Sequence, residues 1–216
     1  MSDFITYFIN NSNMVLASLR QHVVISLTAL TFGFLAAFPA GIYLTRHKKA
    51  ASAVLGIFSA VNTIPSIVML GVAMILLGVG FLPAVTVLFI YSLLPIMRNT
   101  YTGIRGVSEK YIKASKGMGM SSSQIMMKVQ IPLALPIIIA GLRLSTIYII
   151  SWATLSAFIG AGGLGDLIWM GLQSYNFNLV LCGAIPSTLL AFAASIILSF
   201  AEKVTSSRLH TGGEAA

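Results

Sequence analysis

The chain has 216 residues, of which 57% are hydrophobic and only 8% charged, and its mean hydropathy is +0.92. A soluble domain carries roughly 25% charged residues, so this composition excludes one and describes an integral membrane protein. The net charge of +8 is not a nucleic-acid footprint, because the basic residues sort by side of the apolar runs.

The N-terminal stretch "MSDFITYFINN" is acidic at its start and has no apolar core ahead of Arg20, so no cleavable signal peptide is expected. "FITYF" and "NMVLASL" lie along the outer interface or form an ordinary exposed tail. About 20 apolar residues span a bilayer as a helix, and charge-free runs of that length occupy residues 23–45, 53–77, 79–97, 137–159 and 179–200. They are continuously apolar, without the two-residue alternation of a membrane barrel, which predicts an all-α protein of five transmembrane helices. Arg46, Lys48 and Lys49 follow the first run; Arg98, Arg105, Lys110, Lys113, Lys116 and Lys128 lie between the third and fourth; Lys203 and Arg208 follow the fifth. Only Arg20 falls on the other side. The positive-inside rule then places the N-terminus outside, with the loop 98–136 and the tail 201–216 in the cytoplasm. Arg143, two turns into the fourth run, is expected to snorkel to the cytoplasmic face.

Proton pumps, ion-coupled carriers and intramembrane proteases need ionisable groups at membrane depth. The central runs carry almost none: His22, His47 and His210 sit at run ends or in the tail, and Asp166 lies outside the fourth run. No nucleophile–base pair can be assembled, and no GxxxxGK[ST] phosphate loop occurs. Cys182 is the single cysteine, so neither an internal disulfide nor a cysteine metal cluster is expected, and no metal site is assigned. "GAGGLG", residues 160–165, formally matches GxGxxG but ends an apolar run rather than following a strand, so helix termination explains it better than a dinucleotide. If the chain does work, another subunit must supply the energy.

The segment "KASKGMGMSSSQIMMKVQIPLALP" is polar and glycine-punctuated. Ser108 is an expected N-cap for a helix through Lys116, which Gly117 and Gly119 can stop with left-handed geometry. "SSSQ" reads as a capping box, and a second short helix should run to about Ile131, where Pro132 breaks it. Ile125, Met126 and Val129 share one face, while Ala114 and Ser115 keep the first helix narrow. Three readings compete: a charged loop that fixes topology, a DNA-binding helix-turn-helix, and a docking element for a cytoplasmic motor. Only docking accounts for the caps, the small residues and the apolar face together.

The segment resembles the signature cytoplasmic loop of binding-protein-dependent ABC importer permeases, Glu-Ala-Ala, three residues, Gly, nine residues, Ile-x-Leu-Pro. Here the pattern reads Lys113, Ala114, Ser115, then Gly119, then Val129, Ile131 and Pro132. Lys113 replaces the Glu, Ser115 the second Ala and Ile131 the Leu. The likeness extends in layout over residues 23–200: "NTIPS" (62–66), "LLPIMRNTYTGI" (93–104) and "GAGGLGDLI" (160–168) are similar to the subgroup that imports glycine betaine, carnitine and choline, and amino-acid permeases such as those for methionine carry related pieces. The resemblance implies one permease domain over residues 1–216, a type I importer-like fold with a coupling-helix hairpin, and a transport rather than an enzymatic role. It also implies ATPase subunits that bind ATP and Mg²⁺ while this chain holds no cofactor, an external solute-binding protein, and a second permease subunit, identical or similar.

Pro65 in "NTIPS" should kink the second run, which hydrocarbon tolerates only where protein or water supplies partners, so the stretch is expected to face the bundle interior. Asn62, Thr63, Pro65 and Ser66 then line a translocation path or gate, or they form a structural kink whose hydroxyls bond back to their own helix. Pro186, Ser187 and Thr188 offer the same choice. Asp166 is expected to cap an amphipathic helix "LIWMGLQ", with Leu167, Ile168 and Met170 toward the membrane and Trp169 near the headgroups. By the resemblance, this outer loop, with Gly163, Gly165, Asp166 and Trp169, meets the solute-binding protein. Tyr148, Trp152 and Phe158 are not read as a cation cage, being ordinary in lipid-facing helices. A passive or mechanosensitive channel, with "NTIPS" as its constriction, is the alternative of another class, and a membrane anchor the third. Five helices are few to enclose a gated path, which favours a dimer.

Overall fold

The computed structural model describes residues 2–211, with side chains from Phe4 to Ser207. Helix α1 (Ser2–Asn10) packs Phe4, Tyr7 and Phe8 onto a core formed by Val15, Leu164, Leu167, Leu179 and Cys182. The N-terminal residues are therefore a docked helix and not a free tail. Helix α2 (Ser12–Arg46) is 35 residues long, about 52 Å at 1.5 Å per residue, against roughly 30 Å of hydrocarbon. It begins well before the apolar run and projects beyond it.

The second run is not one rod. Helix α3 (Lys48–Thr63) and helix α4 (Ser66–Leu77) meet at a 95° bend. Pro65 has no N–H to continue the helix, and it forces Ile64 into the extended region at φ −70°, ψ 131°. Gly78 and Gly80 then turn the chain at φ +82° and +104°, a region open to glycine, and the Gly80 N–H donates to the Ile159 carbonyl at 2.7 Å.

Helix α5 (Phe81–Arg105) is the most buried of the long helices. One side of it meets a seam of small residues on α2: Gly33, Ala37 and Gly41, spaced four apart, lie against Ser92, Ile96 and Thr100. Without side chains on the glycines the backbones approach closely, the usual basis of helix association in lipid. Ser92 and Thr100 satisfy their hydroxyls on the Phe89 and Ile96 carbonyls of their own helix.

Helix α6 (Glu109–Gly117) and helix α7 (Ser122–Ile125) form the turn of the 98–136 segment. The expected break at Pro132 does not occur. A π-helical turn, Met126–Gln130, leads into helix α8 (Ile131–Ala153), and the Ile131 N–H reaches back to the Met126 carbonyl. Proline is tolerated where the first turn of a helix needs no donor from it, and the wide turn lets the helix continue without breaking. A 3₁₀ turn (Leu155–Ile159), helix α9 (Leu164–Gln173) and helix α10 (Phe177–Thr211) complete the chain. The segment expected as a tail from 201 is helical to Thr211; residues 212–216 and the Arg208 side chain lie outside the described residues.

Among the described residues, α2, α5, Ser122–Ala153 and Phe177–Ser207 are long and apolar enough to cross a membrane. The bent α3–α4 pair makes a fifth span if its halves count as one. The fold is all-helical and multi-pass.

Candidate functional site

At the α3–α4 break, the carbonyl of Ile64 accepts the Tyr91 hydroxyl at 2.5 Å, and Tyr91 is only 1% exposed. Its ring meets Trp152 edge-on at 4.7 Å, and Tyr148 stacks on Trp152 at 5.2 Å. Asn62 donates to the Phe58 carbonyl at 3.0 Å and Thr63 to the Ala60 carbonyl at 2.6 Å. Of the four candidate path residues, Thr63 and Pro65 are exposed and Asn62 and Ser66 half-buried. This corrects the expectation that the stretch faces the interior of the chain's own bundle: α5 and α8 fill that interior, and the bend sits on its surface. One turn earlier, Arg98 donates to the Ser59 hydroxyl.

The turn between α6 and α8 is built from local rules. The Gly119 N–H bonds to the Lys116 carbonyl at 2.9 Å and the Met120 N–H to the Ser115 carbonyl at 3.1 Å, with Gly119 at φ +80°. This is a Schellman close, and Gly119 rather than Gly117 supplies the left-handed residue. Ser121 accepts from the Gln124 N–H while the Gln124 side chain accepts from the Ser121 N–H, a complete capping box. Ser108 occupies the N-cap of α6 without a side-chain bond.

Lys113, Ala114 and Gly119 lie at the surface, with Lys113 paired to Glu109 at 3.3 Å. Ser115 is buried beneath them and bonded to the Tyr111 carbonyl; Val129, Ile131 and Pro132 are half-buried on the wide turn and the start of α8. The apolar face expected to dock elsewhere turns inward: Met126 packs with Ile104, Val107, Ala134 and Ile138, and Ile125 is also buried. What the turn presents outward is Met118 and Met127, at 74% and 65% exposure.

On the opposite end, Gly160, Gly162 and Gly163 have φ of +68°, +85° and +88°. Gln21 clamps this loop: its side-chain amide donates to the Ala161 carbonyl at 3.1 Å and its oxygen accepts the Gly163 N–H at 3.2 Å. His22 is fully buried and its Nε2 donates to the Ile150 carbonyl at 3.0 Å. Gly165 leaves no room for a Cβ against the Thr154 backbone. The helix cap is Gly163 and not Asp166, which sits in the first turn; burial raises its pKa above the usual carboxylate value. Leu167 and Ile168 are not the lipid-facing pair expected, since Leu167 is buried against α10 and α1 and Ile168 is half-buried. Met170 is exposed, and Trp169 packs edge-on against Phe158 at 4.4 Å.

Sequence reasoning missed Gln21 and His22, although a polar pair just ahead of the first run was the available signal. It also missed the partners of Arg143: its guanidinium bonds Ser199 and pairs with Glu202 at 3.4 Å. Glu202 was unreadable as a partner because it lies 59 positions away on a helix expected to have ended.

Residues 29–210 match the family described as binding-protein-dependent transport system inner membrane component. The chain is 47% identical over 203 residues to the glycine betaine/carnitine/choline transport system permease protein of Bacillus subtilis (strain 168), covering 94% of each chain. It is 47% identical over 198 residues to the carnitine transport permease protein of Listeria monocytogenes, covering 92% of this chain and 91% of that one. Among solved structures, an inward-facing methionine ABC transporter superposes with a TM-score of 0.78 at 21% identity, over 91% of this chain and 98% of that one. At that identity the superposition speaks for the fold alone.

Proposed function

The chain belongs to the family of binding-protein-dependent transport system inner membrane components, and from that premise we propose that it carries a quaternary ammonium osmoprotectant of the glycine betaine, carnitine or choline class into the cell. It is the membrane-embedded, non-catalytic permease subunit of an ABC importer. The observation that carries the solute class is near-complete-length identity of 47% to permeases named for these solutes. The methionine alternative rests on sequence pieces shared with amino-acid permeases and on a likeness of fold at 21% identity, and family membership displaces the channel and anchor readings.

In the proposed arrangement the N-terminus lies outside and Lys113 to Pro132 faces the cytoplasm. Lys113, Ala114, Ser115, Gly119, Val129, Ile131 and Pro132 form the element that sits on an ATPase subunit. Because Ser122–Ala153 is continuous through the π turn, displacement of the turn moves α8 as a rod. Trp152 near its far end touches Tyr91, which holds the α3–α4 bend, so the same motion reaches Asn62, Thr63, Pro65 and Ser66. Their exposure supports a path completed by a second permease subunit, identical or similar, across the bend. The outer loop with Gly163, Gly165, Asp166 and Trp169, clamped by Gln21, is the proposed platform for the solute-binding protein. A path with few charges suits a permanently charged solute, which strong ionic partners would trap.

The test is gentle solubilisation with a C-terminal tag and identification of co-purifying chains, alongside uptake of radiolabelled glycine betaine, carnitine and choline. Recovery of an ATPase subunit that is lost in Gly119→Pro, together with uptake of at least one of these solutes, is the expected result. Purification of the chain alone, or uptake unaffected by Gly119→Pro, would overturn the reading.

A further inference from the structure

Where α2, α5 and α6 end, the structure forms an open cavity of about 200 Å³ whose charged lining residues are Arg46, Arg105 and Lys116. No acid lines it. Cations near helix C-termini ordinarily complement the helix dipole or bond the last carbonyls, and that is the plain explanation for their positions. It does not cover their chemistry here: among the described residues, no side chain of the three makes a hydrogen bond or an ion pair. Ser122 and Gln130 add polar side chains to the same lining.

A second, apolar groove lies beside this cavity. Arg46 and Met126 line both the cavity and the groove, which is of about 340 Å³ and whose other walls include Ile42 and Tyr43 on the last turns of α2 and Met127 on the π turn. Free phosphate would use the cations but leave the groove empty; a neutral lipid would fill the groove but bring its own cation to the guanidinium groups. A phosphate ester on a hydrocarbon chain, without a compensating positive charge, matches both halves. Basic pockets between membrane helices are the usual sites for such headgroups, and arginine holds phosphate through paired N–H donors.

We propose that this chain binds an anionic phospholipid at the membrane face beside Arg46, with its phosphate between Arg46, Arg105 and Lys116 and an acyl chain along Ile42, Tyr43 and Met127. The lipid wedges between the end of α2 and the α7 turn, bracing the turn from behind. That this face is the cytoplasmic leaflet rests on the proposed orientation; the binding itself does not.

The test uses the full chain, purified in dodecyl maltoside, titrated with phosphatidylglycerol or phosphatidylcholine and read by native mass spectrometry for retained lipid. Phosphatidylglycerol is expected to be retained in preference, and Arg46→Gln with Arg105→Gln to lower its retention by about tenfold. Arg46→Lys with Arg105→Lys should keep most of it, which also reports that the site folds. Lys48→Gln with Lys49→Gln removes equal charge outside the cavity and should change nothing. Equal retention of the two lipids, an equal loss in the Lys48/Lys49 variant, or displacement by millimolar inorganic phosphate overturns the proposal. So does exclusion of phosphatidylglycerol by a co-purifying ATPase, which would mean that protein fills the pocket. Failure of the importer reading would appear separately, as absence of the ATPase and of uptake, with lipid retention unchanged.

Discussion

The Tyr91 hydroxyl on α5 donates to the Ile64 main-chain carbonyl at 2.5 Å. Pro65 ends α3 and leaves backbone acceptors at the bend; in a bilayer such groups must find partners within the protein, and Tyr91 supplies one from 27 residues away. Tyr91→Phe keeps the ring contact with Trp152 but orphans the carbonyl. Losing a hydrogen bond at this part-buried pair costs about 1 kcal/mol, which for a chain of this size lowers Tm by about 2–4 °C. Thermal unfolding in detergent checks this; an unchanged Tm together with normal solute uptake would show that the bend holds itself.

Gly117 and Gly119 are two residues apart and should respond differently. Gly119 has φ +80° and Gly117 is helical, with open space where a Cβ would project from either. Gly119→Ala meets only backbone strain, about 1 kcal/mol, whereas Gly117→Ala replaces glycine by a better helix former. ATPase co-purification should fall with the first and hold with the second, and a reversed order would reject the Schellman turn as the element that matters.

The α2–α5 seam has no slack at Gly41. A Cβ there would lie 2.7 Å from the Thr100 Cβ and 3.0 Å from the Met97 carbonyl, neither of which is a freely moving side-chain tip. Gly41→Val is expected to cost about 1–3 kcal/mol by overpacking. Gly56→Val, where nothing lies within 4 Å, is the control, and comparison of the two melting curves decides the matter.

Gln21→Ala removes both bonds to the glycine loop at residues 160–163. In the proposed importer assembly the variant should still recover the ATPase subunit, but lose most of the stimulation of ATP hydrolysis by the solute-binding protein. A drop in unstimulated hydrolysis of the same size would mean instead that the clamp supports the whole bundle.

Asp166 gives a pH prediction. Its pKa is raised in the folded chain by burial, so the native state binds the proton more tightly than the unfolded one, and stability falls as pH rises through the raised value. Asp166→Asn should therefore raise Tm at neutral pH, and the gain should vanish below about pH 4, where both states of the parent are protonated. A constant difference at every pH would assign the effect to packing.

Membrane class, helical architecture and the local chemistry of the 113–136 segment are determined by the sequence itself. Hydropathy counts residues against bilayer thickness, while a capping box or a Schellman turn is closed within a few residues, as Ser121 with Gln124 and Gly119 with Lys116 show. Pro65 marks the break for the same reason, through its missing N–H. Tertiary structure alone decided what met what. Ile125 and Met126 were legible as an apolar face but not as a buried one, with Met126 packed against Ile104 and Ala134; Asp166 was legible as a cap residue, yet Gly163 took the cap. Gln21 with Gly163, Tyr91 with Ile64, Arg143 with Glu202 and the Arg46 cavity join residues far apart in the chain. Such pairings are set by the register at which helices pack, and in lipid that register follows from small-residue seams and satisfied polar groups on several helices at once, which no local window of sequence contains.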